Sequence, residues 1–217
     1  MRSFALSISD ALDEGAFIER LSRLTALAAE HPNMRGILVK GDSGSIEGLT
    51  RAVDTVAGSW DRDIMIETRD CASLLITMGN MESERTWLCH TDLSNQCGLR
   101  TIADMGGGHA IVRGRTVQEI AYNLETVGSE GTSVMLDCQD MQGVLESFTT
   151  LERLVRIHGM EGLDGTSFLR VSSGEFAIAL ATVAYSRGCD YVLFDYLNMD
   201  GCDIVNTLCS NQQPAIF

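Results

Sequence analysis

Lysine is almost missing from this chain: Lys40 is the single lysine among 16 basic residues, and the rest are arginine. Proline is nearly as scarce, with two in 217 residues, and no Pro- or Ser-rich stretch marks a linker. The expected organisation is therefore one compact domain over residues 1–217. No run approaches the about 18 uninterrupted apolar residues of a membrane-crossing helix, so no membrane insertion is expected. The segment Met1 to Asp10 lacks a basic stretch followed by an apolar core, so no secretory leader is read there. Net positive charge is missing too. Sixteen basic against 30 acidic residues leave −14, which repels phosphate backbones and argues against nucleic acid as a partner. A basic or mixed protein patch is the better expectation.

Seven cysteines, at 71, 89, 97, 138, 189, 202 and 209, include no Cys-x-x-Cys pair. The odd, irregular set suits neither a disulfide scaffold nor a structural zinc site, and it points to the reducing cytoplasm. Most of these thiols read as small buried hydrophobes. The scarcity of amines has two readings. One is an effector delivered into a host cytosol, where it would avoid ubiquitin attachment; the other is a GC-biased genome.

What is present is ordinary for a packed globule: 45% apolar and 21% charged residues. Leu12, Ala16, Phe17, Leu21, Leu24, Leu27 and Ala28 share one helical stripe over 10–30, with Ser9 or Asp10 as N-cap and Pro32 as the stop. Residues 35–40 read as a buried strand and 46–57 as a helix ending near Gly58. Strands follow at 64–66, 72–78, 87–90 and 99–105, with 72–78 and 87–90 joined as a hairpin through the polar connection 80–85. Beyond them come a helix over 115–127, a strand over 132–137, a helix over 144–157, a strand over 167–171, a helix over 174–186 and a strand over 190–195. A strand-rich middle between helix-rich ends predicts an α+β fold: a layered sheet or sandwich with flanking helices, and no internal repeat.

The chemistry-bearing residues cluster in the middle. Cys71 opens one predicted strand and His90 closes its hairpin partner 19 residues later. An imidazole beside a thiol can take its proton and leave a thiolate nucleophile. Asp92, Thr68 and Asp70 are candidates to fix the imidazole tautomer. The plain alternative is a packed thiol and a histidine bonded to a carbonyl. A zinc site from Cys71, Cys89, His90 and Cys97 is a third reading, without motif spacing. Gly106-Gly107-Gly108 lacks the spacing and the lysine of a phosphate loop, and it reads as a close backbone approach whose amides could line an oxyanion hole. His109 could reach the same cleft, while His31 and His158 sit at helix ends as caps.

The order strand-Cys71, strand-His90, then Gly106-Gly107-Gly108 and the helix from Arg115 resembles the cysteine hydrolase superfamily. That group comprises chemoreceptor glutamine deamidases (CheD-like), protein N-terminal asparagine amidohydrolases, the catalytic domain of cytotoxic necrotizing factors and YfiH-like proteins. Leu88-Cys89-His90-Thr91-Asp92 is similar to the Leu-Thr-His-Cys-Asp of the amidohydrolases. The likeness spans residues 60–138, and 140–217 match nothing named. It departs from the deamidases upstream of Cys71, where Met65 stands at their threonine position and Thr68 lies only three residues before the cysteine. The Gln-x-His-Gly and His-Ala-Gly-Trp-Arg runs of the YfiH-like proteins are missing.

The resemblance implies a cysteine amidohydrolase that deamidates a glutamine or asparagine side chain on a protein substrate. Cys71 would attack the carboxamide, His90 would shuttle the proton, and water would release the thioester, with no metal and no organic cofactor. A transglutaminase sharing the acyl-enzyme, or a non-catalytic interaction module that keeps the fold, stands beside it.

Overall fold

This computed structural model describes residues 3–69, 73, 85–92, 96, 98–106, 108–127, 132–137, 163–171, 177–186 and 189–195. The chain alternates strand and helix from its start. Strand β1 (Ser3–Ser9) leads to helix α1 (Glu14–Glu30), β2 (Met34–Lys40) to α2 (Ile46–Ala57), and β3 (Asp63–Thr68) precedes β4 (Thr86–His90). Helix α3 (Leu99–Gly106) then leads to β5 (His109–Gly114), α4 (Val117–Val127), β6 (Thr132–Asp137), β7 (Leu163–Val171), α5 (Ala177–Ser186) and β8 (Tyr191–Phe194).

Local chemistry sets these bounds. The side chain of Asp13 accepts from the Ala16 amide at 3.0 Å and starts α1; Ser45 does the same for Gly48 at 3.1 Å and starts α2. Such caps contribute about 1 kcal/mol each. Helix α1 buries Phe17, Leu21, Leu24, Leu27 and Ala28 against the sheet, the stripe expected from the sequence, although its cap is Asp13 rather than Ser9 or Asp10. Burying each large apolar side chain contributes about 1.5–3 kcal/mol. His31 serves as the C-cap through its own amide, which donates to the Leu27 carbonyl.

Every strand pairing is parallel, and β8 pairs back onto β1 to close a barrel of eight strands in sequence order. The expected α+β sandwich is therefore corrected to an α/β barrel. The expected hairpin between 72–78 and 87–90 is not formed in the barrel: β4 pairs parallel with β3 on one edge, from Ile64↔Thr86 to Thr68↔His90, and parallel with β5 on the other, whereas a hairpin joins antiparallel strands. The expected strand at 99–105 is helix α3, where Leu99 and Ala103 are buried four residues apart while Thr101, Asp104 and Met105 face solvent. The expected elements at 72–78 and 144–157 fall outside the described residues, apart from Ser73.

Alternation divides each strand between two cores. Outward residues such as Leu6, Ile37, Val39, Ile66, Leu88, Val112 and Leu136 pack against the helices. Inward residues Ala5, Leu38, Met65, Cys89, Ile111, Met135, Phe168 and Leu193 fill the barrel's waist. Below that waist, at the N-terminal end, Tyr191 donates to Asp63 at 3.4 Å and Trp87 stacks on His109 with centroids 4.6 Å apart. Gly36 has no room for a side chain there, since a Cβ would lie 2.5 Å from the Tyr191 hydroxyl. Among the described residues, no helix is long and apolar enough to cross a membrane.

Candidate active site at the C-terminal mouth

Above the apolar waist the inward positions turn polar. Ser7 on β1, Lys40 on β2, Glu67 on β3, Arg113 on β5, Asp137 on β6 and Arg170 on β7 all lie at the C-terminal ends of their strands, and Asp195 directly follows β8. In eight-stranded parallel barrels this is the end where chemistry is done, because loops from every strand converge there.

Glu67 sits at the centre of the network. Arg170 donates to its two carboxylate oxygens at 2.5 and 3.1 Å, and Arg113 pairs with the same carboxylate. Arg113 also reaches Asp137 Oδ2 through Nε at 3.1 Å and Nη2 at 2.6 Å. Arg170 Nε donates to Asp195 Oδ2 at 3.1 Å, and the Ser7 hydroxyl donates to Asp195 Oδ1 at 3.0 Å. Lys40 Nζ stands 3.3 Å from Asp195 and 3.6 Å from Asp42. Loops join the same frame: Ser9 donates to Asp42 at 2.8 Å, and Asp10 accepts from the Ser43 amide and hydroxyl at 2.8 and 2.6 Å.

The backbone of Arg113 is clamped from outside the barrel. Gln96 exchanges two 2.8 Å hydrogen bonds with its amide and carbonyl, and Asn123 donates to that carbonyl at 2.9 Å. Both amide side chains are buried, so the guanidinium is aimed before any ligand arrives.

Electrostatics follow from these contacts. Burial alone would raise the Glu67 pKa, but Arg113 and Arg170 outweigh it and hold the carboxyl below its ordinary value. Asp195 is likewise lowered, with burial overcome by Arg170, Lys40 and the Ser7 hydroxyl. Both arginines are displaced upward: burial opposes their charge, and the facing carboxylates more than compensate. Glu67, Asp195, Arg113 and Arg170 are therefore held in their charged forms and offer fixed charges rather than a proton donor. One acceptor is left over. Asp137 Oδ1 is buried with no hydrogen-bond partner among the described residues, its approach to Arg170 Nε being 3.9 Å.

The residues singled out from sequence are distributed differently. Cys71 and Gly107 lie outside the described residues, as do Asp70, Cys97 and His158. Thr68 and His90 are brought side by side as register partners, and His90 Nδ1 accepts from the Asp92 amide at 2.9 Å. That contact places the imidazole proton on Nε2, assigned from the hydrogen-bond network. Both side chains belong to the outward face, and His90 meets the ring only through its carbonyl, which accepts from Arg113 Nη1 at 2.8 Å. Gly106 ends α3 and Gly108 precedes β5, at the barrel end opposite His90, so these amides cannot line an oxyanion hole beside that imidazole. His109 starts β5 at that same lower end.

Cys89 and His90 are adjacent in a strand and point to opposite faces, so they cannot share one zinc ion. No group of three or more His, Cys, Asp and Glu residues suited to a metal occurs among the described residues. Cys89 is fully buried and its thiol is pushed up to about 12, by burial first and then by the Glu67 charge. The ring was missed because each of its charges reads locally as the polar end of an apolar run. Its signal was the spacing: Arg113 and Asp137 are 24 residues apart, Arg170 and Asp195 are 25, about one strand-helix unit.

No family model matches the chain, and neither does any curated protein. Solved structures do match. The chain is similar to dihydropteroate synthase of Vibrio fischeri (TM-score 0.65, 12% identity, 98% of this chain and 95% of that one). A Yersinia pestis dihydropteroate synthase with a pterine-sulfa conjugate gives 0.67 at 8% identity, over 98% and 95%. The Anaplasma phagocytophilum enzyme with bound 6-hydroxymethylpterin-monophosphate gives 0.58 at 10% identity, over 95% and 99%. At these identities the likeness establishes the fold.

It also corrects the expectation of a cysteine hydrolase. The neighbours are dihydropteroate synthases rather than deamidases, and the His90 strand has parallel neighbours, β3 and β5, on both edges in place of the expected hairpin partner. The cysteine amidohydrolase reading falls with it, and the transglutaminase and interaction-module alternatives gain no support. The motifs behind them were short enough to arise in a strand-helix repeat.

Proposed function

We propose that this chain is a barrel enzyme that binds and acts on a pterin-class heterocycle at the C-terminal mouth. The observation that carries the reading is Asp137, whose Oδ2 is held by Arg113 while its buried Oδ1 has no hydrogen-bond donor among the described residues. A buried, unsatisfied acceptor costs about 1–3 kcal/mol, more when charged, and a ligand N–H removes that cost. The 2-amino-4-oxopyrimidine edge of a pterin carries such donors beside a carbonyl that a guanidinium can meet. The same-fold neighbours solved with a pterine-sulfa conjugate and with 6-hydroxymethylpterin-monophosphate add support from outside the chain.

Within this reading, Asp137 accepts from the ring N–H groups, Arg170 faces the carbonyl, and Glu67 holds both guanidiniums at fixed positions. The test is calorimetric titration with 6-hydroxymethylpterin. Wild-type protein is expected to bind it. Asp137→Asn, which exchanges half of the acceptor for a donor, should weaken binding by about 10- to 100-fold, the range of a hydrogen bond to a charged group. No binding by the wild type, or equal binding by the variant, would count against the reading.

A further inference from the structure

Resting on the pterin reading above, we propose that Gln96 and Asn123 are positioning residues that hold Arg113 off one oxygen of Asp137 and so keep that oxygen open to a ligand. An arginine beside a carboxylate ordinarily forms a fork, with its two donors on separate oxygens. Here both donors fall on one. Arg113 Nε and Nη2 reach Asp137 Oδ2 at 3.1 and 2.6 Å, and Oδ1 stays buried without a hydrogen-bond partner among the described residues. The guanidinium thus neutralises Asp137 without covering the atom that would accept a ring N–H.

The backbone of Arg113 accounts for the offset. Strand β4 pairs with β5 from Trp87↔His109 to Cys89↔Ile111, two residues short of Arg113. Gln96, in the connection from β4 to α3, supplies the rung beyond. It accepts from the Arg113 amide and donates to its carbonyl, both at 2.8 Å, as the peptide of a neighbouring strand would. Asn123 donates to the same carbonyl at 2.9 Å. It is the polar member of the buried stripe Val117, Ile120, Asn123, Leu124 and Val127 of α4, where core packing alone calls for another apolar residue. The next residue of β5, Gly114, lies so close to α4 that a Cβ would stand 2.8 Å from the Ile120 amide nitrogen. At the far end of the side chain, Nη1 is held by Glu67 and by the His90 carbonyl. With both ends of Arg113 set, its remaining edge meets Oδ2 alone. Without the clamp the guanidinium can turn until Nε and Nη2 take one oxygen each, which closes Oδ1 to a ligand.

Gln96→Met and Asn123→Leu remove these hydrogen bonds at nearly constant volume, and either variant alone decides the matter. Crystal structures of the two are expected to show Arg113 bonded to both oxygens of Asp137. Calorimetric titration with 6-hydroxymethylpterin should show binding weakened by about fivefold or more in each. Leu124→Ala loosens the same helix and leaves both amide side chains in place. It should lower the urea midpoint while keeping pterin affinity within about twofold of the wild type. In an Asp137→Asn background, where the acceptor is already compromised, Gln96→Met should cost less than about twofold. A clamp that served stability alone would lower the urea midpoint and leave Arg113 on Oδ2. That geometry in the variants would overturn the proposal, as would a matching loss of affinity in Leu124→Ala or an undiminished loss in the Asp137→Asn background. Failure of the wild type to bind the pterin would overturn the pterin reading, and the crystal structures would still decide what positions Arg113.

Discussion

Glu67 and Arg170, 103 residues apart in the chain, meet inside the barrel through two hydrogen bonds of 2.5 and 3.1 Å. Arg113 pairs with the same carboxylate, so one buried acid holds two buried cations. Glu67 is 2% exposed, and removing its charge leaves both guanidiniums short of a partner. Glu67→Gln is therefore expected to destabilise the protein by about 3–5 kcal/mol, the cost of breaking a buried pair from one side. Urea denaturation at pH 7 measures it. A loss below about 1 kcal/mol would mean that water reaches the ring and screens it.

The same acids set the response to pH. Glu67 and Asp195 are held below their ordinary values of 4.5 and 3.8, so the folded state binds fewer protons than the unfolded chain. Their contribution to stability is fully present above those ordinary values and is lost as pH falls through the lowered ones. The urea midpoint should hold steady from pH 7 to about 5 and then decline below about 4.5. Glu67→Gln, already less stable, should show a shallower decline over that acid range. An identical slope in the two proteins would detach Glu67 from the acid response.

Cys89 offers a contrast with the reactive thiol expected from sequence. Its thiol lies within the barrel, directed at the Ile66 carbonyl at 3.6 Å, and is pushed up to about 12. At pH 8 almost none of it is thiolate. In native protein treated with iodoacetamide, mass mapping should find Cys89 unmodified over hours, and its modification in urea should track global unfolding. Rapid labelling under native conditions would show that the waist of the barrel opens.

Much of the secondary structure was legible, and the pairing was not. Helix 46–57 and strand 132–137 carry their bounds in local chemistry: Ser45 before the one, and an apolar run closed by Asp137 in the other. Strand β1 was hidden because Ser3, Ser7 and Ser9 alternate with its apolar residues on the inward face, so the segment does not read as buried. Two apolar runs joined by polar residues, 72–78 and 87–90, suggest a hairpin locally, and nothing within them tells that the second run pairs parallel with β3 and β5 instead. The site shared that fate. Lys40, Glu67, Arg113, Asp137, Arg170 and Asp195 become a ring only when the barrel closes, since contacts such as Glu67 to Arg170 leave no trace over so long a separation. Cys71 and His90, by contrast, are near in sequence and chemically familiar, which made them conspicuous.

Asp63, at the opposite end of the barrel, should behave in the reverse sense to the ring. Burial raises its pKa above 3.8 and outweighs the pull of Arg35, the Tyr191 hydroxyl, Arg85 and His109. The folded state therefore prefers the protonated acid, and the favourable contribution present at low pH is lost as pH rises through the raised value. At pH 7 the ionised carboxylate is a liability in this half-buried position. Asp63→Asn retains an acceptor for the Tyr191 hydroxyl, now 3.4 Å away, and removes the charge. The variant should show a higher urea midpoint than the wild type at pH 7, and the difference should shrink toward pH 3, where both side chains are neutral. A midpoint lowered at pH 7 would mean that the attraction of Arg35, Arg85 and His109 exceeds the cost of burial, and would reverse the assignment.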